Sequence, residues 1–150
     1  MYNKKPSVGT VLSRSLALTI ASLAFASAAQ AEIAVIVNKS VAASQVSTEV
    51  VSDIFLGKVN TLPDGTRLTP VDQEANQSAR TEFYAKVVKK DDAQLNAYWS
   101  RLIFTGKGEP PKKLADNAEV IALVKSNAGT VGYVDASAVN DSVKVLLRVP

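Results

Sequence analysis

The stretch VDQEANQSARTEFYAKVV, residues 71–88, begins as the end of a strand and finishes as an amphipathic helix. The strand, RLTPV, is short and is expected near a sheet edge, because Pro70 cannot donate to a strand ladder. The helix is expected over residues 79–89, since their apolar members are spaced to form one buried face. A run of polar or small residues, 73–78, connects the two elements, and Arg80 follows it closely.

Strands and helices alternate along the rest of the chain. IAVIVN at residues 33–38 and VKVLLRV at 143–149 are apolar on both faces, which is typical of strands buried inside parallel sheets. Helices are predicted from STEVVSDIFLGK, DAQLNAYWSRLIF and LADNAEVIALVKSN, each preceded by a side chain that can cap it. TGKGEPPKK, residues 105–113, is predicted to be a loop. This alternation predicts an α/β fold with a mostly parallel sheet covered by helices.

The first 31 residues have the pattern of a secretory signal peptide. MYNKKPSVGTVLSRS carries basic residues and no acid, and the apolar run LALTIASLAFASA follows it. AQA, residues 29–31, places small residues where a signal peptidase reads, so we expect cleavage between Ala31 and Glu32. Residues 32–150 then form one domain in the periplasm with no membrane span. An uncleaved membrane anchor is the alternative.

Charge and composition of residues 32–150 argue against several classes of protein. Three of the 17 basic residues and none of the 14 acidic residues lie in the first 31 positions, so the remainder is formally neutral. That balance disfavours a nucleic-acid partner. The chain has no cysteine and no histidine, and no nucleotide-binding loop or nucleophile elbow is present. We therefore expect no metal, no cofactor, no catalytic residue and no enzymatic activity.

The start of the predicted helix has the chemistry of an anion site. If the helix begins near Ser78, the backbone N–H groups of Ser78, Ala79 and Arg80 lack helical acceptors. The helix dipole makes this end attractive to a negative charge. Asn76 and Gln77 add side-chain donors, and Arg80 adds a planar cation suited to oxyanions.

A second group of candidate ligand-binding residues follows the first strand. Asn38 and Ser40 come directly after it, and the carboxyl ends of parallel strands meet at the ligand crevice of such sheets. Each pattern also has a purely structural alternative. Asn38 could end the strand with Lys39 solvated. Ser78 or Asn76 could cap the helix, with Arg80 paired to Glu74 on the surface.

Three phrases occur in a specific order: DIFLGK at residues 53–58, NQSARTEFY at 76–84 and AGTVGYV at 128–134. Together they resemble the periplasmic phosphate-binding proteins of phosphate ABC transporters, within the type II periplasmic-binding superfamily. In that family a helix ending in IFLGK leads to a strand, a Gly-Ser-Gly-Thr-Arg-x-x-Phe motif starts the next helix, and GAIGYV follows later. The resemblance covers nearly all of residues 32–150.

The resemblance implies an exported solute-binding-like protein that binds phosphate or a related oxyanion and is associated with phosphate ABC transport. The family's serine and threonine at the helix start are replaced by Gln77 and Ala79, and Ser78 stands where glycine is usual, whereas Arg80 and Phe83 are kept. The chain has the length of one lobe, so an ABC permease or a second copy would complete the crevice. The alternative is a single-lobe interaction or accessory protein of the envelope without small-ligand transport.

Overall fold

The computed structural model describes residues 31–150, together with Asn3 and Gly9. The predicted signal peptide, residues 1–31, lies outside the described residues apart from these two and Ala31. The elements in chain order are β1 (Ile33–Val37), α1 (Thr48–Phe55), β2 (Thr69–Gln73), α2 (Ser78–Phe83), a π-helical turn (Tyr84–Val88), α3 (Asp92–Phe104), β3 (Lys112–Leu114), α4 (Asn117–Ser126), β4 (Thr130–Asp135), a 3₁₀ turn (Ala136–Ala138) and β5 (Lys144–Val149).

The five strands form one sheet in the order β3-β2-β4-β1-β5. β2 pairs in parallel with β3 and β4, whereas β1 is antiparallel to both β4 and β5. Four strands therefore run in one direction and β1 runs against them, which confirms a mostly parallel sheet. β1 itself differs from the expectation, although all five of its residues are buried. Burial on both faces requires helices on both sides of the strand, and it does not fix the direction of the neighbours.

Helices cover the two faces of the sheet with separate apolar clusters. On one face, α1, α2 and the π-helical turn pack around Phe55, Phe83 and Tyr133, where the rings of Phe83 and Tyr133 are stacked with centroids 4.0 Å apart. On the other face, Val120 and Val124 of α4 pack against β1 and β2. Burial of each large side chain contributes about 1.5–3 kcal/mol, so these clusters hold the helices on the sheet.

The helix ends follow the capping chemistry of the sequence. Ser47 caps α1 by accepting from the amide of Val50, and Asp116 caps α4 by accepting from the amide of Glu119. Asp91 forms a capping box with Gln94 at the start of α3. Beyond α1, Gly57 has φ 69°, the left-handed conformation expected for it.

Three predicted elements differ in detail. Residues 105–113 are not all loop, because Lys112 begins the short edge strand β3. β5 is partly exposed, since it lies at the other sheet edge and pairs only with β1. The predicted helix over residues 79–89 consists of α2 and the π-helical turn, which ends at Lys89 with φ 61°.

Pro70 does not interrupt the pairing of β2 with β3. That pairing begins at Val71, so the missing N–H of Pro70 removes no hydrogen bond on the β3 side.

Candidate functional site

The predicted site residues do not all meet. β2 ends at Gln73 and β4 ends at Asp135. We call the end of the sheet where these two strands finish the carboxyl edge, as distinct from the edge strands β3 and β5. α2 begins close to this edge. Val37, the last residue of β1, pairs with Val131 near the start of β4, so Asn38 and Ser40 lie at the opposite edge. The expectation that they share a crevice with the α2 start is wrong, because β1 runs antiparallel to its neighbours.

Asn38 instead satisfies backbone and side-chain groups around the end of α4. Its Nδ2 donates to the carbonyl oxygens of Val124 at 3.1 Å and Lys125 at 2.9 Å. Its Oδ1 accepts from the amide of Ser40 at 3.0 Å and from the hydroxyl of Ser40 at 2.8 Å. The last carbonyls of a helix need such donors, so this contact supports the structural alternative for Asn38.

Of the three backbone amides expected to be free at the start of α2, two lack an acceptor and the third donates within the chain. Gln77 is the N-cap residue and makes no side-chain capping bond, so capping by Ser78 or Asn76 is not what closes this helix. Within residues 31–150, the amides of Ser78 and Ala79 donate to no protein group. The amide of Arg80 does donate, to the carbonyl of Gln77 at 3.1 Å. Two free amides remain, one on an exposed residue and one on a buried residue.

Arg80 is buried and paired with two carboxylates. Its Nε lies 3.4 Å from Oδ2 of Asp72, and its Nη1 lies 2.6 Å from Oδ1 of Asp92. Its guanidinium carbon lies 4.8 Å from the ring centroid of Tyr84. The alternative of a surface pair with Glu74 is therefore wrong. Burial lowers the pKa of Arg80, but the bond to Asp92 and the charge of Asp72 outweigh it and hold that pKa above its usual value.

Asp72 is the buried anchor of this arrangement, and the sequence-based prediction did not include it. It accepts from the amide of Gln73 at 2.7 Å, from the hydroxyl of Tyr84 at 3.0 Å, from the hydroxyl of Tyr133 and from Arg80. Burial first, and then the charge of Asp72, raise the pKa of both tyrosines, so their hydroxyls stay protonated donors. The available signal was its position directly after the predicted strand RLTPV and before the polar run at residues 73–78.

A hollow of about 410 Å³ adjoins Arg80 on the side of α3. Its lining consists of Arg80, Thr81, Tyr84, Ala85, Lys89, Lys90, Asp91 and Asp92. None of the predicted residues 76–79 lines it. The Arg80 side chain reaches the start of α3, where its Nη1 contacts Asp92. Sequence reasoning missed Lys89, Lys90 and Asp92, because no local pattern places the α3 start next to Arg80.

The carboxyl edge carries a second polar network on the α4 face of the sheet. Nε2 of Gln73 donates to Oδ1 of Asn117 at 3.0 Å and to the carbonyl of Tyr133 at 2.9 Å. Nδ2 of Asn117 donates to Oδ2 of Asp135 at 2.8 Å. Among the buried side-chain polar atoms of the described residues, Oε1 of Gln73 is the one without a partner. This network ties the ends of β2 and β4 to the start of α4.

In the described part of the chain, neither a metal-ligand grouping nor a long apolar helix is present. No group of His, Cys, Asp or Glu in it is arranged to hold a metal ion. None of the helices in residues 31–150 combines the length and the apolar character that a membrane crossing requires.

The sheet order, the strand directions and the helices on both faces define one lobe of a type II periplasmic-binding-protein-like fold. Solved structures of phosphate-transport proteins have this fold. A proposed phosphate ABC transporter substrate-binding protein from Clostridium perfringens, solved with bound phosphate, matches 77% of this chain with a TM-score of 0.60 and 21% identity. An ABC-type phosphate transport receptor from Vibrio cholerae matches 77% with a TM-score of 0.54 and 18% identity. PstS from Borrelia burgdorferi matches 77% with a TM-score of 0.56 and 11% identity.

The chain spans less than half the length of the structures that it matches. The matched part is 45% of the C. perfringens chain, 46% of the V. cholerae chain and 47% of the B. burgdorferi chain. No protein-family model and no curated protein matches this chain. At these identities the likeness establishes the fold.

Proposed function

We propose that this protein is an exported, single-lobe solute-binding protein that binds phosphate or a related small oxyanion near the start of α2. The ligand-binding residues of this proposal are Asn76, Gln77, Ser78, Ala79 and Arg80. The observation that carries it is a buried guanidinium one residue beyond two free amides, close to the carboxyl edge. Amides and a guanidinium at a helix start form the donor set that oxyanions require.

The local charge predicts weak binding. Asp72 and Asp92 together carry one more negative charge than Arg80 can neutralise, so an incoming oxyanion competes with a carboxylate. The site of a single lobe is also open to solvent, where counterions and water weaken electrostatic contacts. We expect a dissociation constant of about 0.1–1 mM, which corresponds to about −4 to −5.5 kcal/mol.

The location and partners belong to the same proposal. Residues 1–31 act as a cleaved signal peptide, and the protein works in the periplasm in association with phosphate ABC transport. A second lobe, supplied by another copy of the chain or by an ABC permease, would enclose the ligand. The chain spans less than half of each of the three structures named above.

Calorimetric titration with phosphate and sulfate tests oxyanion binding directly. We expect saturable heat with phosphate and weaker binding by Arg80→Lys, which keeps the charge but loses the planar fork of donors. Circular dichroism checks that the variant is folded. Absence of saturable heat at 10-fold above the expected dissociation constant, with amide chemical shifts also unchanged, would refute the proposal.

A second candidate is an interaction protein of the envelope, and one observation favours it. At the end of α3, Phe104 is 92% exposed and Ile103 is 56% exposed, although large apolar side chains are normally covered. Capture of a stoichiometric partner from periplasmic extract, unaffected by phosphate and lost in Phe104→Ser, would support this function. Equal capture by the variant would count against it.

A further inference from the structure

The hollow beside Arg80 is a candidate binding site separate from the free amides at the α2 start. Its volume of about 410 Å³ lies in the range of small-molecule sites. Arg80, Lys89 and Lys90 supply three cations to its lining, and Asp91 and Asp92 supply two carboxylates. The left-handed conformation of Lys89, φ 61°, ends the π-helical turn just before the start of α3.

The carboxylates of Asp91 and Asp92 have different hydrogen-bond partners. Oδ1 of Asp91 accepts from the amide of Gln94 at 2.8 Å, and the amide of Asp91 donates to Oε1 of Gln94 at 3.0 Å. Asp91 is therefore held as the helix cap. Asp92 has Arg80 as its side-chain partner, at 2.6 Å, and its side chain is 68% exposed. The Asp92 carboxylate thus contacts the outer side of the Arg80 guanidinium and is itself accessible to solvent.

The opposite side of the guanidinium is fixed. Asp72, whose side chain is 5% exposed, contacts Nε, and the ring of Tyr84 lies under the guanidinium carbon at 4.8 Å. In the pair with Asp92 the carboxylate is 68% exposed, so water can solvate it when it leaves Arg80, whereas the carboxylate of Asp72 is buried and has no such access to water. Arg80 would therefore keep its position if the Asp92 carboxylate moved into solvent. The guanidinium is preorganised, and its present outer partner is replaceable.

We infer that the Asp92 carboxylate is an internal competitor for an oxyanion site in this hollow. A phosphate group, either free or in a small phosphate monoester, displaces Asp92 from Nη1 of Arg80 and lies among Arg80, Lys89 and Lys90. This inference rests on the proposed oxyanion binding and adds a second position for the ligand, on the α3 side of Arg80, separate from the amides of Ser78 and Ala79. The remaining volume of the hollow would receive the organic part of a monoester.

Charge-matched variants test the competition. Asp92→Asn removes the competitor, so we expect phosphate to bind about fivefold tighter or more, the factor that corresponds to an exposed ion pair. Glu82→Gln is the control, because it makes the same change in net charge and lies on α2, the helix that carries Arg80. Glu82 pairs with Lys86 at 2.8 Å and does not line the hollow. We expect its affinity for phosphate to stay within twofold of the wild type.

Two further readouts locate the ligand and identify its source. Lys89→Gln should weaken phosphate binding, and amide chemical shifts on titration should move at residues 89–92. Glycerol 3-phosphate should bind more tightly than inorganic phosphate if the hollow takes a monoester, and equally if it takes the free ion. Equal affinity of Asp92→Asn and Glu82→Gln, or shifts confined to residues 76–79, would overturn this inference and leave the proposed function intact. Absence of phosphate binding by both the wild type and Asp92→Asn would remove both.

Discussion

Replacing the two carboxylates of Arg80 one at a time should separate the anchor of the site from its exposed partner. Asp72→Asn and Asp92→Asn each remove one negative charge facing the same guanidinium. The side chain of Asp72 is 5% exposed, whereas that of Asp92 is 68% exposed. We expect Asp72→Asn to be strongly destabilising and Asp92→Asn to be nearly neutral.

The contacts give the size of the difference. In Asp72→Asn, an amide group faces the donors of Arg80, Tyr84, Tyr133 and the Gln73 backbone, so at least one of them loses its acceptor. Breaking a buried ion pair by removing one partner costs about 3–5 kcal/mol, and the remaining Asp92 places this case near 3–4 kcal/mol. Arg80 keeps Asp72 when Asp92 is replaced, and the Asp92 carboxylate is 68% exposed, so we expect a loss near the value for solvent-exposed pairs, about 0–1 kcal/mol.

Urea unfolding followed by tryptophan fluorescence measures both variants. The chain has one tryptophan, Trp99, and it is 9% exposed, so unfolding changes its environment. With an m-value of about 2 kcal/mol/M, the unfolding midpoint of Asp72→Asn should fall by about 1.5–2 M. That of Asp92→Asn should fall by less than about 0.5 M. Equal shifts for the two variants would refute the view that Asp72 anchors Arg80.

Three other substitutions test the core, the tyrosines and the exposed surface. A Cβ on Gly132 would lie 2.5 Å from Cγ1 of Val120, so Gly132→Ala should destabilise by about 1–3 kcal/mol, seen as a lower melting temperature. Folding raises the pKa of Tyr84 and Tyr133, so above pH 10 the hydroxyls of these tyrosines lose their protons only in the unfolded chain. The free energy of unfolding should therefore fall by about 1.4 kcal/mol per pH unit for each tyrosine. Urea midpoints between pH 9 and 11.5 measure this slope, and Tyr84→Phe should roughly halve it. Phe104→Ser, at a 92% exposed position, should change the free energy of unfolding by less than about 0.5 kcal/mol while reducing the binding of an apolar dye.

The sequence predicted most of the secondary structure because the relevant signals are local. Apolar spacing indicated the buried face of α1 and, at Leu95 and Trp99, that of α3. The expectation that Ile103 and Phe104 are also buried is wrong, because the end of α3 extends beyond the core. Each cap could be narrowed to two adjacent polar residues, and the structure uses Ser47, Asp91 and Asp116. β3 was missed within residues 105–113, because a three-residue strand at a sheet edge has one buried neighbour strand and no internal periodicity. The π-helical turn was missed since its apolar pattern continues that of α2.

The candidate site could be predicted only in part. The sequence indicated a cation at an uncapped helix start, and the structure has both Arg80 and two free amides there. It did not indicate that Arg80 contacts Asp72, eight residues earlier, and Asp92, twelve residues later. Those contacts require β2, α2 and the α3 start to meet, and no local pattern reports such a meeting. They decide whether the guanidinium is free or already paired.

The sequence alone determined most of the strands and helices, their order, and the absence of cysteine and histidine chemistry. Only the tertiary structure decided that β1 runs against its neighbours, which moves Asn38 and Ser40 away from the α2 start. It also decided that Arg80 is held between a buried and an exposed carboxylate. The physical reason is that hydrophobic periodicity records how deeply a residue is buried, whereas strand direction and ion pairing depend on contacts between residues far apart in the chain.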